Sequence, residues 1–148
     1  MIKNFIFNWI IFIYVSIIFT AIDIQYYSGE CVKRVEYKLK VVMTIFIHHI
    51  IGTVLNFGFL SNNKLFLSFF CLGNIIVILH WIFNKNKCFI TQNLNKICDF
   101  PKERLFPEFF GMIGLKKYNW WNTWGNILYC VIIFFIGIYK IFYLSHKA

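Results

Sequence analysis

Four long apolar runs constrain this chain more than any other feature of its sequence. They cover about residues 5–22, 41–60, 65–83 and 124–144, and a polar Ser61-Asn62-Asn63 turn separates the second run from the third. A helix crosses the hydrocarbon core of a bilayer in about 20 mostly apolar residues. The sequence therefore predicts one domain, residues 1–148, that is an all-α integral membrane protein with four transmembrane helices packed in a bundle.

The composition excludes a soluble protein. Hydrophobic residues make up 59% of the chain and charged residues 14%, whereas soluble domains average roughly 45–50% and 25%. The net charge of +9 is explained by lysines beside membrane spans, which face anionic lipid head groups. We therefore expect the lipid bilayer, and not a nucleic acid, to be the partner of these charges.

The distribution of the basic residues predicts an orientation. Of the 15 Lys and Arg residues, four lie on the side of the two termini and the 61–64 turn. The other eleven lie in the loops 23–40 and 84–123. Because cytoplasmic loops carry an excess of Lys and Arg, both long loops are expected in the cytoplasm or its equivalent, with the termini on the non-cytoplasmic side.

The segment 84–123 between the third and fourth spans is too apolar for a free loop. Ile90, Leu94 and Ile97 recur at helical spacing, and Pro107 is suited to the first turn of a short helix over residues 108–113. We expect one or two interfacial helices here. The same apolar faces are equally suited to docking a protein partner.

Polar residues within the spans follow helical spacing. His49, Thr53 and Asn56 lie at i, i+4 and i+7 on the second span, Asn74 lies on the third, and Asn126 lies on the fourth. Polar groups are costly in hydrocarbon and hydrogen-bond between helices for roughly 0.6 kcal/mol each. We therefore expect these residues to face neighbouring helices and to support packing.

The histidines of the second and third spans allow an alternative, a metal or haem site formed by His48, His49 and His80. Counted from the 61–64 turn at about 1.5 Å per residue, His49 and His80 differ by roughly 7 Å in height, which disfavours two axial ligands of one iron. The predicted spans also contain no acidic residue. No cofactor is therefore expected, and the redox or metal protein remains the alternative.

A second polar cluster lies where the third span ends. His80, Asn84, Cys88 and Thr91 could gather at one membrane face, and pairing of Cys with His activates a thiolate. This cluster is the basis of a further alternative, a small lipid-modifying enzyme. No complete catalytic motif accompanies it, so an enzyme is not the leading interpretation.

The cysteines divide into two groups. Cys71 and Cys130 lie within spans and are expected to act as packing residues. Cys31, Cys88 and Cys98 lie on the side of the long loops, where a cytoplasmic location would keep them reduced. In an oxidising compartment Cys31 could pair with either Cys88 or Cys98, because a ten-residue helix would hold these two about 15 Å apart.

The stretches HHIIGTVLNFG and HWIFNKNKCFITQNLNKIC, within residues 44–98, carry a resemblance. This part of the chain resembles small uncharacterised multi-pass membrane proteins of large DNA viruses. It is also similar to a bacterial membrane family of unknown function with a His, then Cys-x-Leu-Thr pattern, with Ile90 in place of the leucine. The resemblance implies no activity and directs attention to the corner at residues 80–91. The matching positions are His48, His49, His80, Trp81, Asn84, Asn86, Cys88 and Thr91.

These observations favour a structural or interaction role in a larger membrane assembly, with protein partners. A membrane component of a virion is one such role.

Overall fold

The computed structural model describes residues 2–85, 87–101 and 124–146, and this part of the chain is helical without any strand. Four stretches are long and apolar enough to cross a membrane: Lys3–Arg34, Lys38–Leu60, Lys64–Phe83 and Asn126–His146. The all-helical class and the four candidate spans are thus confirmed. The helices are α1 Ile2–Asp23, α2 Gly29–Arg34, α3 Lys38–Phe57, α4 Lys64–Phe83, α5 Phe89–Cys98 and α6 Asn126–His146.

The first helical stretch is longer than the apolar run that predicts it. After Asp23 the chain continues through a π-helical turn, Ile24–Ser28, and then directly into α2. A Cβ on Gly29 would collide with the carbonyl oxygen of Ile24, so glycine is needed where this turn ends. The helical stretch Lys3–Arg34 extends past the predicted span of residues 5–22 and contains two acidic residues, Asp23 and Glu30.

The long helices pack mainly in two pairs, α1 with α3 and α4 with α6. In the first pair Ser16 and Thr53 are joined by a hydrogen bond of 3.3 Å between their hydroxyls. In the second pair Gly137 lies against Cys71 and Phe70 on α4, and a Cβ at Gly137 would come within 2.9 Å of the Phe70 ring. Glycine here allows the backbones of α4 and α6 to approach closely.

The turn between α3 and α4 is hydrogen-bonded to both of the other long helices. The Asn8 amide on α1 donates to the Ser61 hydroxyl at 2.7 Å. The Lys140 ammonium on α6 donates to the carbonyl oxygens of Phe59 and Leu60 at 3.0 and 3.2 Å. Asn63 caps α4 by accepting from the Phe66 amide at 3.0 Å.

The opposite end of the molecule carries the two short helices. A disulfide joins Cys31 on α2 to Cys98 on α5, with their Cα atoms 5.2 Å apart. Val41 and Ile45 of α3 and Leu94 of α5 complete a buried cluster around it. We call this end, comprising α2, α5 and the start of α3, the bridged cap. The helix predicted from Ile90, Leu94 and Ile97 is α5, whereas the predicted helix at 108–113 lies outside the described residues.

Candidate functional site

A buried carboxylate and imidazole lie between α1 and α3. The Asp23 carboxylate and His49 Nε2 are 3.0 Å apart, and the two side chains are 0% and 4% exposed. The second carboxylate oxygen accepts a hydrogen bond of 2.5 Å from the Ser28 hydroxyl. His49 lies near the middle of α3, whereas Asp23 is the last residue of α1, so the cluster lies where α1 passes into the π-helical turn.

The π-helical turn explains how Asp23 and Ser28 come together. A π-helix bonds residue i to residue i+5, and these two residues are five apart. In a regular α-helix the same spacing would direct the two side chains about 140° apart. The turn therefore places a hydroxyl and a carboxylate on one face, toward α3.

His48, the neighbour of His49, belongs to a different environment. The two rings lie 5.9 Å apart, but adjacent residues of an α-helix point about 100° away from each other. His48 is buried and lines a partly enclosed cavity of about 130 Å³ between α3, α4, α5 and α6. His80 and Cys88 line the same cavity.

The corner between α4 and α5 is held by His80. Its Nε2 accepts from the Phe89 amide at 3.2 Å and lies 3.5 Å from the Asn84 amide nitrogen. Asn84 also donates to the Gln92 side chain at 3.2 Å. Because Nε2 serves as acceptor in this network, the neutral ring carries its hydrogen on Nδ1, an assignment made from the hydrogen bonds.

The predicted cluster of His48, His49, His80, Asn84, Cys88 and Thr91 is therefore divided. His48, His80 and Cys88 share the cavity, and Asn84 supports His80. His49 instead faces Asp23, and Thr91 is buried on α5.

Within the described ranges, no group of three or more His, Cys, Asp or Glu residues is arranged to hold a metal ion. Two of the three proposed ligands already use Nε2: His49 toward Asp23 and His80 toward the Phe89 amide. Their Nε2 atoms would have to give up these contacts to bind a metal.

The residues predicted to pack between helices make different kinds of contact. Thr53 bonds across to Ser16, but the amides of Asn56 and Asn74 donate to carbonyl oxygens of their own helices, at 2.7 and 3.0 Å. Asn126 lines the cavity. The hydrogen bond that crosses between helices near Asn56 comes from the Tyr129 hydroxyl, which donates to the Asn56 carbonyl oxygen at 2.7 Å.

Sequence reasoning missed Asp23 and Ser28. A usable signal was present, since Asp23 directly follows the apolar run of residues 5–22 and Gly29 follows Ser28. A carboxylate at the end of such a run marks either the end of a span or a buried pair, and only the fold distinguishes them.

No family model, curated protein or solved structure matches this chain. The resemblance of residues 44–98 to viral and bacterial membrane proteins therefore stays a prediction.

Proposed function

We propose that this protein is an integral membrane protein whose four long helices form a bundle in the bilayer, and that it serves as an interaction subunit of a larger membrane assembly. The observation that carries the proposal is the bridged cap. Neither α2 nor α5 is by itself long enough to cross a membrane, yet the Cys31–Cys98 disulfide joins them to each other, and a buried apolar cluster packs both against α3. Ordering a segment costs about 1–2 kcal/mol per residue in conformational entropy. This ordering favours a role for the two short helices beyond that of connecting the spans.

The outer surface of the bridged cap has the composition of a protein interface. The cap and the turns that adjoin it expose the aromatic rings of Tyr26, Tyr37 and Phe89, which are 69, 68 and 65% exposed. Tyrosine and phenylalanine are enriched at interface cores, where they bury much area at little entropic cost. These rings therefore favour a protein partner for this surface.

This surface is also positively charged. Its exposed basic side chains outnumber its exposed acidic ones, Glu30, Glu36 and Asp99. We therefore expect a partner with an acidic surface, which would associate faster at low salt. The exposed basic residues are Lys33, Arg34, Lys38, Lys40, Lys85, Lys87 and Lys96.

The disulfide and the count of charges favour opposite orientations. The count of basic residues predicts cytoplasmic long loops and non-cytoplasmic termini. A disulfide persists in an oxidising compartment, and Cys31 and Cys98 are 0% and 3% exposed on the side of these loops. We propose that the bridged cap faces an oxidising compartment, because the disulfide requires such a compartment to persist and both of its cysteines are buried within the cap.

Orientation can be tested through Cys88. It is half-buried at the start of α5, while Cys71 and Cys130 are buried and the other two cysteines form the bridge. A membrane-impermeant maleimide added to intact cells or vesicles of known sidedness is expected to label Cys88 from the oxidising side. Labelling only after the cytoplasmic side is opened would contradict the proposed orientation, and Cys88→Ser is the control for specificity.

The assembly role is tested by purification from the native membrane in mild detergent, with the composition read by mass spectrometry. We expect stoichiometric protein partners that are lost from the double variant Tyr37→Ala, Phe89→Ala. Phe135→Ala is the matched control, because Phe135 is also 63% exposed but lies on α6, away from the bridged cap. A protein that purifies alone, or partners unaffected by the double variant, would contradict the proposal.

The absorption spectrum and metal content of the same sample test the alternative of a redox or metal protein. A Soret band, or one bound metal ion per chain, would favour that alternative over an interaction subunit.

A further inference from the structure

The cavity between α3, α4, α5 and α6 has the size of a small ligand. Its volume is about 130 Å³. An apolar protein cavity of about 150 Å³ is large enough to bind benzene. Ile51, Val77 and Trp81 supply apolar walls, so the space matches one six-membered ring or a few carbon atoms of similar bulk.

The polar groups on the wall select the chemistry of a ligand. The His80 ring keeps a hydrogen on Nδ1, because Nε2 accepts from the Phe89 amide. The Tyr129 hydroxyl donates its hydrogen to the Asn56 carbonyl oxygen, so this hydrogen is not available to a ligand. A ligand at His80 would have to supply a hydrogen-bond acceptor.

The charge of the cavity wall further restricts the class of ligand. Among the described residues that line the cavity there is no Lys, Arg, Asp or Glu. An ionised ligand would be buried without a countercharge, which costs several kcal/mol. The ligand should therefore be neutral.

We propose that this cavity binds a neutral, lipid-soluble carbonyl compound whose apolar body is about the size of one six-membered ring. The carbonyl oxygen accepts from Nδ1 of His80, and the ring lies against Ile51, Val77 and Trp81. A ligand of this kind partitions into a bilayer and reaches the cavity without crossing water. The cavity shares α5 with the bridged cap, but binding of this ligand requires no protein partner.

The thiol of Cys88 lines the cavity and provides a local readout. The purified full-length protein in detergent is treated with methyl methanethiolsulfonate, and the rate of Cys88 modification is followed by mass spectrometry. The probe is cyclohexanone, and its comparison is methylenecyclohexane, which has the same shape with a methylene group in place of the carbonyl oxygen. We expect cyclohexanone to slow the modification at a concentration about fivefold lower than methylenecyclohexane, the equivalent of one hydrogen bond.

Gly52 allows the cavity to be filled without disturbing the fold. It lies on the cavity wall, and a Cβ added there meets no heavy atom within 4 Å. Gly52→Leu should abolish protection of Cys88, whereas Gly52→Ala should retain it. Formation of the Cys31–Cys98 disulfide and an unchanged gel-filtration profile show that each variant is folded.

Three results would overturn the proposal. They are absence of protection in the unmodified protein, equal protection in Gly52→Leu, and equal potency of the ketone and the hydrocarbon.

Discussion

The pair formed by Asp23 and His49 leads to a quantitative prediction about coupling between α1 and α3. Replacing His49 with leucine leaves the buried Asp23 carboxylate with Ser28 as its hydrogen-bond donor and without the imidazole. Removing one partner of a buried pair typically costs about 3–5 kcal/mol of the free energy of unfolding. Asp23→Leu should cost a similar amount, because it leaves a buried imidazole without its acceptor.

The double variant Asp23→Leu, His49→Leu should have a free energy of unfolding much closer to that of the unmodified protein than either single variant has. Replacing both members of a buried pair with apolar side chains is often neutral or stabilising, and the loss of the acceptor for Ser28 adds about 1 kcal/mol. The two single effects minus the effect of the double variant should thus give a coupling free energy of about 5 kcal/mol or more. An ordinary hydrogen bond between membrane helices averages about 0.6 kcal/mol.

The assay is equilibrium unfolding by sodium dodecyl sulfate in mixed micelles, followed by tryptophan fluorescence. Thr53→Val is the matched control, because it removes a neutral hydrogen bond to Ser16 between the same two helices. Its expected cost is about 0.6 kcal/mol. Additive effects of the two leucine substitutions, or a coupling no larger than the effect of Thr53→Val, would refute the reasoning.

Three further predictions follow from contacts elsewhere in the fold, each checked by the same unfolding titration. Cys31→Ser removes a disulfide that closes a loop of 67 residues, so the free energy of unfolding should fall by about 4 kcal/mol. A non-reducing gel should show slower migration, and unchanged migration would mean that the disulfide is not formed. Gly137→Ala places a Cβ too close to α4 and should cost about 1–3 kcal/mol, whereas Gly73→Ala, with 3.9 Å to its nearest neighbour, should change stability by less than about 0.5 kcal/mol. Lys140→Met removes two hydrogen bonds to carbonyl oxygens and should cost about 1–3 kcal/mol, and an unchanged midpoint would show that water replaces them.

The spans could be predicted from the sequence because hydrocarbon excludes charge from about 20 consecutive residues whatever their neighbours are. The helix α5 could be predicted because Ile90, Leu94 and Ile97 keep the α-helical period. Both inferences depend on local composition or spacing, and neither requires knowledge of how the helices are rotated against each other.

The buried cluster could not be predicted in the same way. Asp23 and His49 are 26 residues apart on different helices, and their contact depends on the rotation of α1 against α3. The π-helical turn also breaks the period on which the interpretation of the first span rests. His48 and His49 are adjacent in sequence, yet one faces the cavity and the other faces Asp23.

The choice between Cys88 and Cys98 as the partner of Cys31 was likewise open from the sequence. Cys98 shares the buried face of α5 with Thr91 and Leu94, the three lying at i+7, i and i+3, and this face packs toward α3. Cys88 lies at the other end of the helix, where it lines the cavity. The helix face therefore determines the pairing, and it becomes known only once α5 is placed on α3.

The bond between Cys31 and Cys98 closes a covalent ring that contains all of α3 and α4. A protease that cuts the turn at Ser61–Asn63 would open this ring without releasing either fragment. The two fragments would stay attached to each other through the disulfide, because Cys31 lies in one fragment and Cys98 in the other. On a denaturing gel the cleaved molecules would thus migrate as one species until a reductant is added, and only then separate into two fragments.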